Sequence, residues 1–104
     1  ETWALVLFGP NAAYPHGSTK QHHLRKGDLA LIDAGGSLHG YQSDITRTFA
    51  CEAPSSAGAR AYECVRRAQL AALALMRDGR PCADVDAAAR SVIEQGGYGG
   101  GYSA

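Results

Sequence analysis

Little in this chain is in excess, and each shortage removes a class of function. Neither charge dominates: ten basic residues are matched by ten acidic ones. Nothing therefore points to nucleic acid or to an anionic membrane as partner. No apolar run approaches the roughly 18 residues that a membrane-spanning helix needs. Glu1-Thr2-Trp3 does not open as a signal peptide does. Cysteine is scarce. Cys51, Cys64 and Cys82 are too far apart for a Cys-x-x-Cys zinc site, and their odd number completes no disulfide framework. Thiols in a reducing, cytoplasmic compartment are the expectation. Histidine is absent after His39.

What remains is the composition of a globular chain, 45% hydrophobic and 19% charged, too apolar to stay disordered. Its 104 residues make one domain or part of one.

Residues 27–49 organise the chain. They read as two strands joined through a glycine-rich turn at Gly35-Gly36, and each strand carries an acid. Asp33 stands in the apolar run Leu29-Ala30-Leu31-Ile32-Asp33-Ala34, and Asp44 in Ser43-Asp44-Ile45-Thr46-Arg47-Thr48-Phe49. An acid among apolar strand residues is costly unless its charge is compensated. Side chains alternate along a strand, so Leu29, Leu31 and Asp33 share one face. Gln42, Asp44, Thr46 and Thr48 likewise share one. A hairpin turning near Leu38-His39 sets Asp33 opposite Asp44, with Cβ atoms roughly 4.5–5.5 Å apart. A bulge at Gly35-Gly36 would shift that register. Two carboxylates so close repel, and they clamp one or two divalent ions. The competing reading leaves each Asp as a strand-end residue in water. The Thr46 hydroxyl is placed to support a ligating carboxylate, or is there for β-propensity alone. Arg47 falls on the opposite face with Ile45 and Phe49, where a structural ion pair is expected.

Around this hairpin the chain reads simply. Residues 3–8, Trp-Ala-Leu-Val-Leu-Phe, do not alternate and predict a strand buried on both faces. Gly9-Pro10-Asn11 signals a turn, and residues 11–26 a polar loop. In that loop His16 sits between Pro15, which fixes φ, and Gly17, which admits close approach. This is a rigid mount for an imidazole. His22-His23 has no such mount and is expected to face solvent.

After Ala53-Pro54, Ser55 or Ser56 caps a helix reaching about residue 78, with Tyr62, Val65, Gln69, Ala72, Leu73 and Met76 as its apolar stripe. Gly79 and Pro81 stop it. A second helix, residues 83–95, carries Asp84 and Asp86 in its first turn and ends at Gly96-Gly97. Both read as covering layers for the sheet. Residues 97–104 read as a tail or as the approach to a further strand.

Taken in order, Asn11…Pro15-His16, Gly27-Asp28-Leu29-x-Leu31-Ile32-Asp33-x-Gly35 and Gly40-Tyr41-x-Ser43-Asp44-Ile45-Thr46-Arg47-Thr48-Phe49 resemble the metallopeptidases of the aminopeptidase P/prolidase (Xaa-Pro dipeptidase) type. That M24 group shares the pita-bread fold with methionine aminopeptidase. The resemblance runs from about Trp3 to Tyr98. The Asp-x10-Asp pair followed by Ile45-Thr46-Arg47-Thr48-Phe49 is its most specific part.

The resemblance implies an α/β (α+β) pita-bread half-domain, an antiparallel sheet covered by two helices. It implies two divalent ions (Mn, Co or Zn) held by two Asp, one His and two Glu. On that pattern Asp33 ligates one ion, Asp44 bridges both, and His16 contacts substrate and steadies the tetrahedral intermediate. The chain departs from it in lacking the later His, and Glu52, Glu63 and Glu94 do not stand in the later motifs. Residues 1–104 then correspond to the first half of a catalytic domain, inactive alone. The parent would be an exopeptidase hydrolysing the N-terminal peptide bond, ahead of proline, with a peptide as substrate and a homodimer left open. A pita-bread pseudoenzyme that binds peptides and a metal-independent creatinase-like hydrolase are the alternatives.

Overall fold

The computed structural model describes residues 1–101. Of residues 97–104, read from sequence as a tail or the approach to a strand, the last three therefore lie outside the described residues. The chain divides into two compact units, Glu1–Gly58 and Ala59–Ala104.

The first unit is a three-stranded antiparallel sheet in the order β1-β2-β3, formed by β1 (Thr2–Phe8), β2 (Leu29–Leu38) and β3 (Tyr41–Ala50). A 3-10 turn, Gly9–Ala13, follows β1. β1 is less enclosed than its unbroken apolar run predicts. Leu7 is buried, whereas Trp3 and Val6 are exposed, one on each face of the strand.

The β2–β3 hairpin corrects the expected turn. Leu38 pairs with Tyr41, and the loop is the two residues His39 and Gly40, with φ of 51° and 84°. A type I′ two-residue hairpin loop takes positive φ at both positions, and glycine does so without strain. A loop at Leu38-His39 would force a leucine into that conformation. Gly35 and Gly36 are neither turn nor bulge. They lie inside β2, paired in regular register with Asp44 and Ser43. A Cβ on residue 35 would run into the Ser43 carbonyl oxygen and lie 2.8 Å from Cζ2 of Trp3. Glycine here admits the indole against the backbone.

The second unit contains most of α1 (Ser56–Leu75) and all of α2 (Cys82–Gln95). Ser55 is the cap of α1, its Oγ accepting from the Gly58 N–H at 3.0 Å. The helix ends three residues earlier than expected. The face it buries also differs: Cys64 and Ala68 pack with Ile93, Ala89 and Val92 of α2, while Tyr62, Val65, Leu73 and Met76 are exposed. Small side chains let the helices approach; the larger ones one step around the helix remain outside.

Asp84 lies in the first turn of α2 as expected, but Asp86 lies beyond it and pairs with Arg90 at 2.7 Å. The C-terminus closes with the Tyr98 N–H on the Ile93 carbonyl and the Gly97 N–H on that of Glu94, a Schellman arrangement. No helix among the described residues is long and apolar enough to cross a membrane.

Candidate metal centre

Pairing decides which side chains share a face of the sheet. Leu5 pairs with Asp33 and Asp33 with Thr46; Trp3 pairs with Gly35 and Gly35 with Asp44. Trp3, Leu5, Asp33, Asp44 and Thr46 therefore project to one side. Val6, Ile32, Ile45, Arg47 and Phe49 project to the other.

The two acids do share a face, but they are not opposite one another as the sequence suggested. Moving the turn by one residue moves the pairing by two, an even slip that preserves the face and changes the partner. Asp33 and Asp44 become diagonal neighbours, which in antiparallel pairs stand about 7–8 Å apart.

Thr46 takes the place opposite Asp33, and its Oγ1 donates to Asp33 Oδ1 at 2.6 Å. The supporting hydroxyl thus serves Asp33, not Asp44. Asp33 is half-buried and Asp44 exposed. Arg47 Nη1 donates to the Thr46 carbonyl at 2.8 Å, and Arg47 enters no ion pair among the described residues. The structural ion pair expected for it is replaced by a backbone contact.

His16 occupies a turn closed by the Gly17 N–H on the Tyr14 carbonyl at 3.0 Å, with Pro15 leading into it. The ring is exposed. Leu5 Cδ1 lies 3.4 Å from where a Gly17 Cβ would stand. Leu5 is the cross-strand partner of Asp33, so the turn bearing His16 lies over the acid-bearing face.

His22 corrects a second expectation. It does not simply face solvent. Nε2 lies 2.8 Å from Asp28 Oδ2, with the two side chains only 18% and 20% exposed. The same oxygen accepts from the Arg25 N–H at 2.9 Å. The hydrogen bond to His22 first, and the Arg25 N–H second, hold the Asp28 carboxyl below its ordinary value. His23 is exposed, as expected. Sequence reasoning missed this pair because its members lie six positions apart along an irregular loop. The one signal was Asp28 itself, an acid directly after Gly27 at the mouth of a strand.

The carboxylates of Asp33 and Asp44 are hard oxygen donors on one face, suited to divalent ions. They are two donors only. Among the described residues no three His, Cys, Asp or Glu side chains come together to hold a metal.

The model of metallopeptidase family M24 matches residues 2–103. YkvY of Bacillus subtilis, provisionally named a dipeptidase, is 43% identical over 95 residues, which cover 91% of this chain and 26% of that protein. The prolidase of Thermococcus sibiricus superposes with a TM-score of 0.86 at 40% identity, covering 93% of this chain and 26% of its own. The Xaa-Pro dipeptidase of Bacillus anthracis superposes with a TM-score of 0.84 at 35% identity, covering 93% and 27%. The expected half-domain of the pita-bread fold, a three-stranded antiparallel sheet with two helices, is therefore present. The chain spans about a quarter of the length of the relatives it matches.

Proposed function

This chain belongs to metallopeptidase family M24, and from that premise we propose that it is the first half of the catalytic domain of an exopeptidase that uses two divalent ions to remove an N-terminal residue, ahead of proline. Relatives named as dipeptidases and prolidases support a peptidase parent, and the family implies divalent metal. The observation that carries the reading is the acid face of the sheet: Asp33 and Asp44 on one side, the Thr46 hydroxyl on Asp33, and the His16 turn above.

In this reading Asp33 and Asp44 are the residues of this chain that would hold the ions. Thr46 fixes one oxygen of Asp33 and so its orientation. The ions, when bound, polarise the scissile carbonyl and activate water at neutral pH. His16 offers an imidazole N–H to the oxygen that gains charge as the carbonyl becomes tetrahedral. The remaining ligands and the general base belong to the rest of the parent. The 104 residues alone are accordingly expected to be inactive.

The test uses the full-length parent, assayed on Xaa-Pro dipeptides and on matched dipeptides without proline, with bound metal measured alongside. Metal-dependent hydrolysis of the first set is the expected result. Bound peptide without hydrolysis would make it a binding module. Hydrolysis that persists in metal-free protein would make it creatinase-like.

A further inference from the structure

We propose that His22 and Asp28 form a latch that holds the loop carrying His16 in register with the strand carrying Asp33, making His22 a positioning residue for hydrolysis. The proposal rests on the reading of His16 given above.

The latch joins three segments of chain. His22 belongs to the loop. Asp28 is fastened to the sheet, its carbonyl accepting from the Cys51 N–H at 2.9 Å while Gly27 N–H donates to the Cys51 carbonyl at 2.8 Å. Five residues further along the same stretch stands Asp33. The third segment is the end of β1. A Cβ at Gly9 would lie 2.6 Å from His22 Nε2 and 3.0 Å from Asp28 Oδ1, so the pair is seated against the backbone there. The other side of the loop is closed by Asn11 Nδ2, which donates to the Lys20 carbonyl at 2.7 Å. His16 thus lies in the stretch closed by the contact of Asn11 with Lys20, and the His22–Asp28 contact, seated against Gly9, fastens the stretch that follows.

The latch is the 2.8 Å contact of His22 Nε2 with Asp28 Oδ2, an oxygen that also accepts from the Arg25 N–H. The cavity beside His22 is lined by Lys20 and His23 from the loop and by Val6, Leu7 and Phe8 of β1, and Arg25 reaches Asp28 through its N–H. Lys26 is engaged with Glu52 at 2.9 Å. Among the described residues Asp28 is the carboxylate paired with His22, and a lysine at position 22 should keep a charged partner on it.

The experiment compares full-length wild type, His22→Ala and His22→Lys. Three readouts are taken: hydrogen–deuterium exchange of residues 11–26, metal content, and kcat and KM separately. His22→Ala should speed exchange in the loop, keep its metal, and lose up to about 100-fold in kcat, the scale of a misplaced catalytic group. His22→Lys should restore both exchange and kcat. Unchanged loop exchange in His22→Ala would overturn the proposal, and so would faster exchange with unchanged kcat. If wild type hydrolyses no peptide, the functional reading fails by itself; faster exchange in His22→Ala reversed in His22→Lys still supports the latch.

Discussion

Asp33 faces Thr46 across the β2–β3 ladder, and the Thr46 hydroxyl donates to Asp33 Oδ1 at 2.6 Å. Asp44 stands two pairs nearer the turn, opposite Gly35. The two acids are thus unequal: one is half-buried and held by a side-chain donor, the other is exposed. Thr46→Val in the full-length parent should weaken metal binding by about 10- to 100-fold, the usual effect of removing a ligand's supporting hydrogen bond. Metal titration by calorimetry checks this. Affinity equal to wild type would return Thr46 to simple strand propensity.

Removal of the acids themselves should be more severe. Asp44→Asn keeps shape and loses charge, so most bound metal and activity should go with it. Asp33→Asn should behave nearly the same. Elemental analysis beside an Xaa-Pro assay decides. A variant with normal metal and turnover would strike that residue from the site.

His16 is expected to act on substrate, so His16→Ala should leave metal content alone. Its kcat/KM should fall by about 10²–10³, the scale of a lost transition-state donor. His23→Ala is the control and should be silent, since that ring is exposed. Activity retained in His16→Ala would reduce His16 to a solvated loop residue.

The Asp28 carboxyl titrates below its ordinary value of 3.8 because the native fold gives the ionised form partners. A depressed folded-state value means the pair adds stability above the unfolded value and loses it as pH falls through the folded one. Asp28→Asn should therefore be less stable than wild type at neutral pH. The difference should shrink as acid is added below about pH 4, where unfolded carboxyls protonate. Urea unfolding across pH measures it, and a pH-independent difference would contradict the assignment.

Gly35 carries a steric prediction. Gly35→Ala would press a methyl into the Ser43 carbonyl and the Trp3 indole. Overpacking of this kind destabilises by about 1–3 kcal/mol. The urea midpoint should fall in Gly35→Ala, with partial recovery in Gly35→Ala combined with Trp3→Leu. An unchanged midpoint would show that β1 yields at this point.

The elements themselves, and the face shared by Asp33 and Asp44, were legible in the sequence because they are local or periodic. Apolar runs, the serine at the start of α1 and glycines at helix ends act within a few residues. Strand alternation has a period of two, so even a misplaced turn left both acids on the same side. What the tertiary structure decided was partnership. The turn settled on His39-Gly40 because glycine takes positive φ freely, and that choice exchanged Asp44 for Thr46 opposite Asp33. The buried face of α1 went to Cys64 and Ala68, because close approach of α2 favours small side chains over the larger apolar ones beside them. His22 found Asp28 across an irregular loop. No periodicity announces a contact of that kind, since it depends on the path of the chain between its two ends.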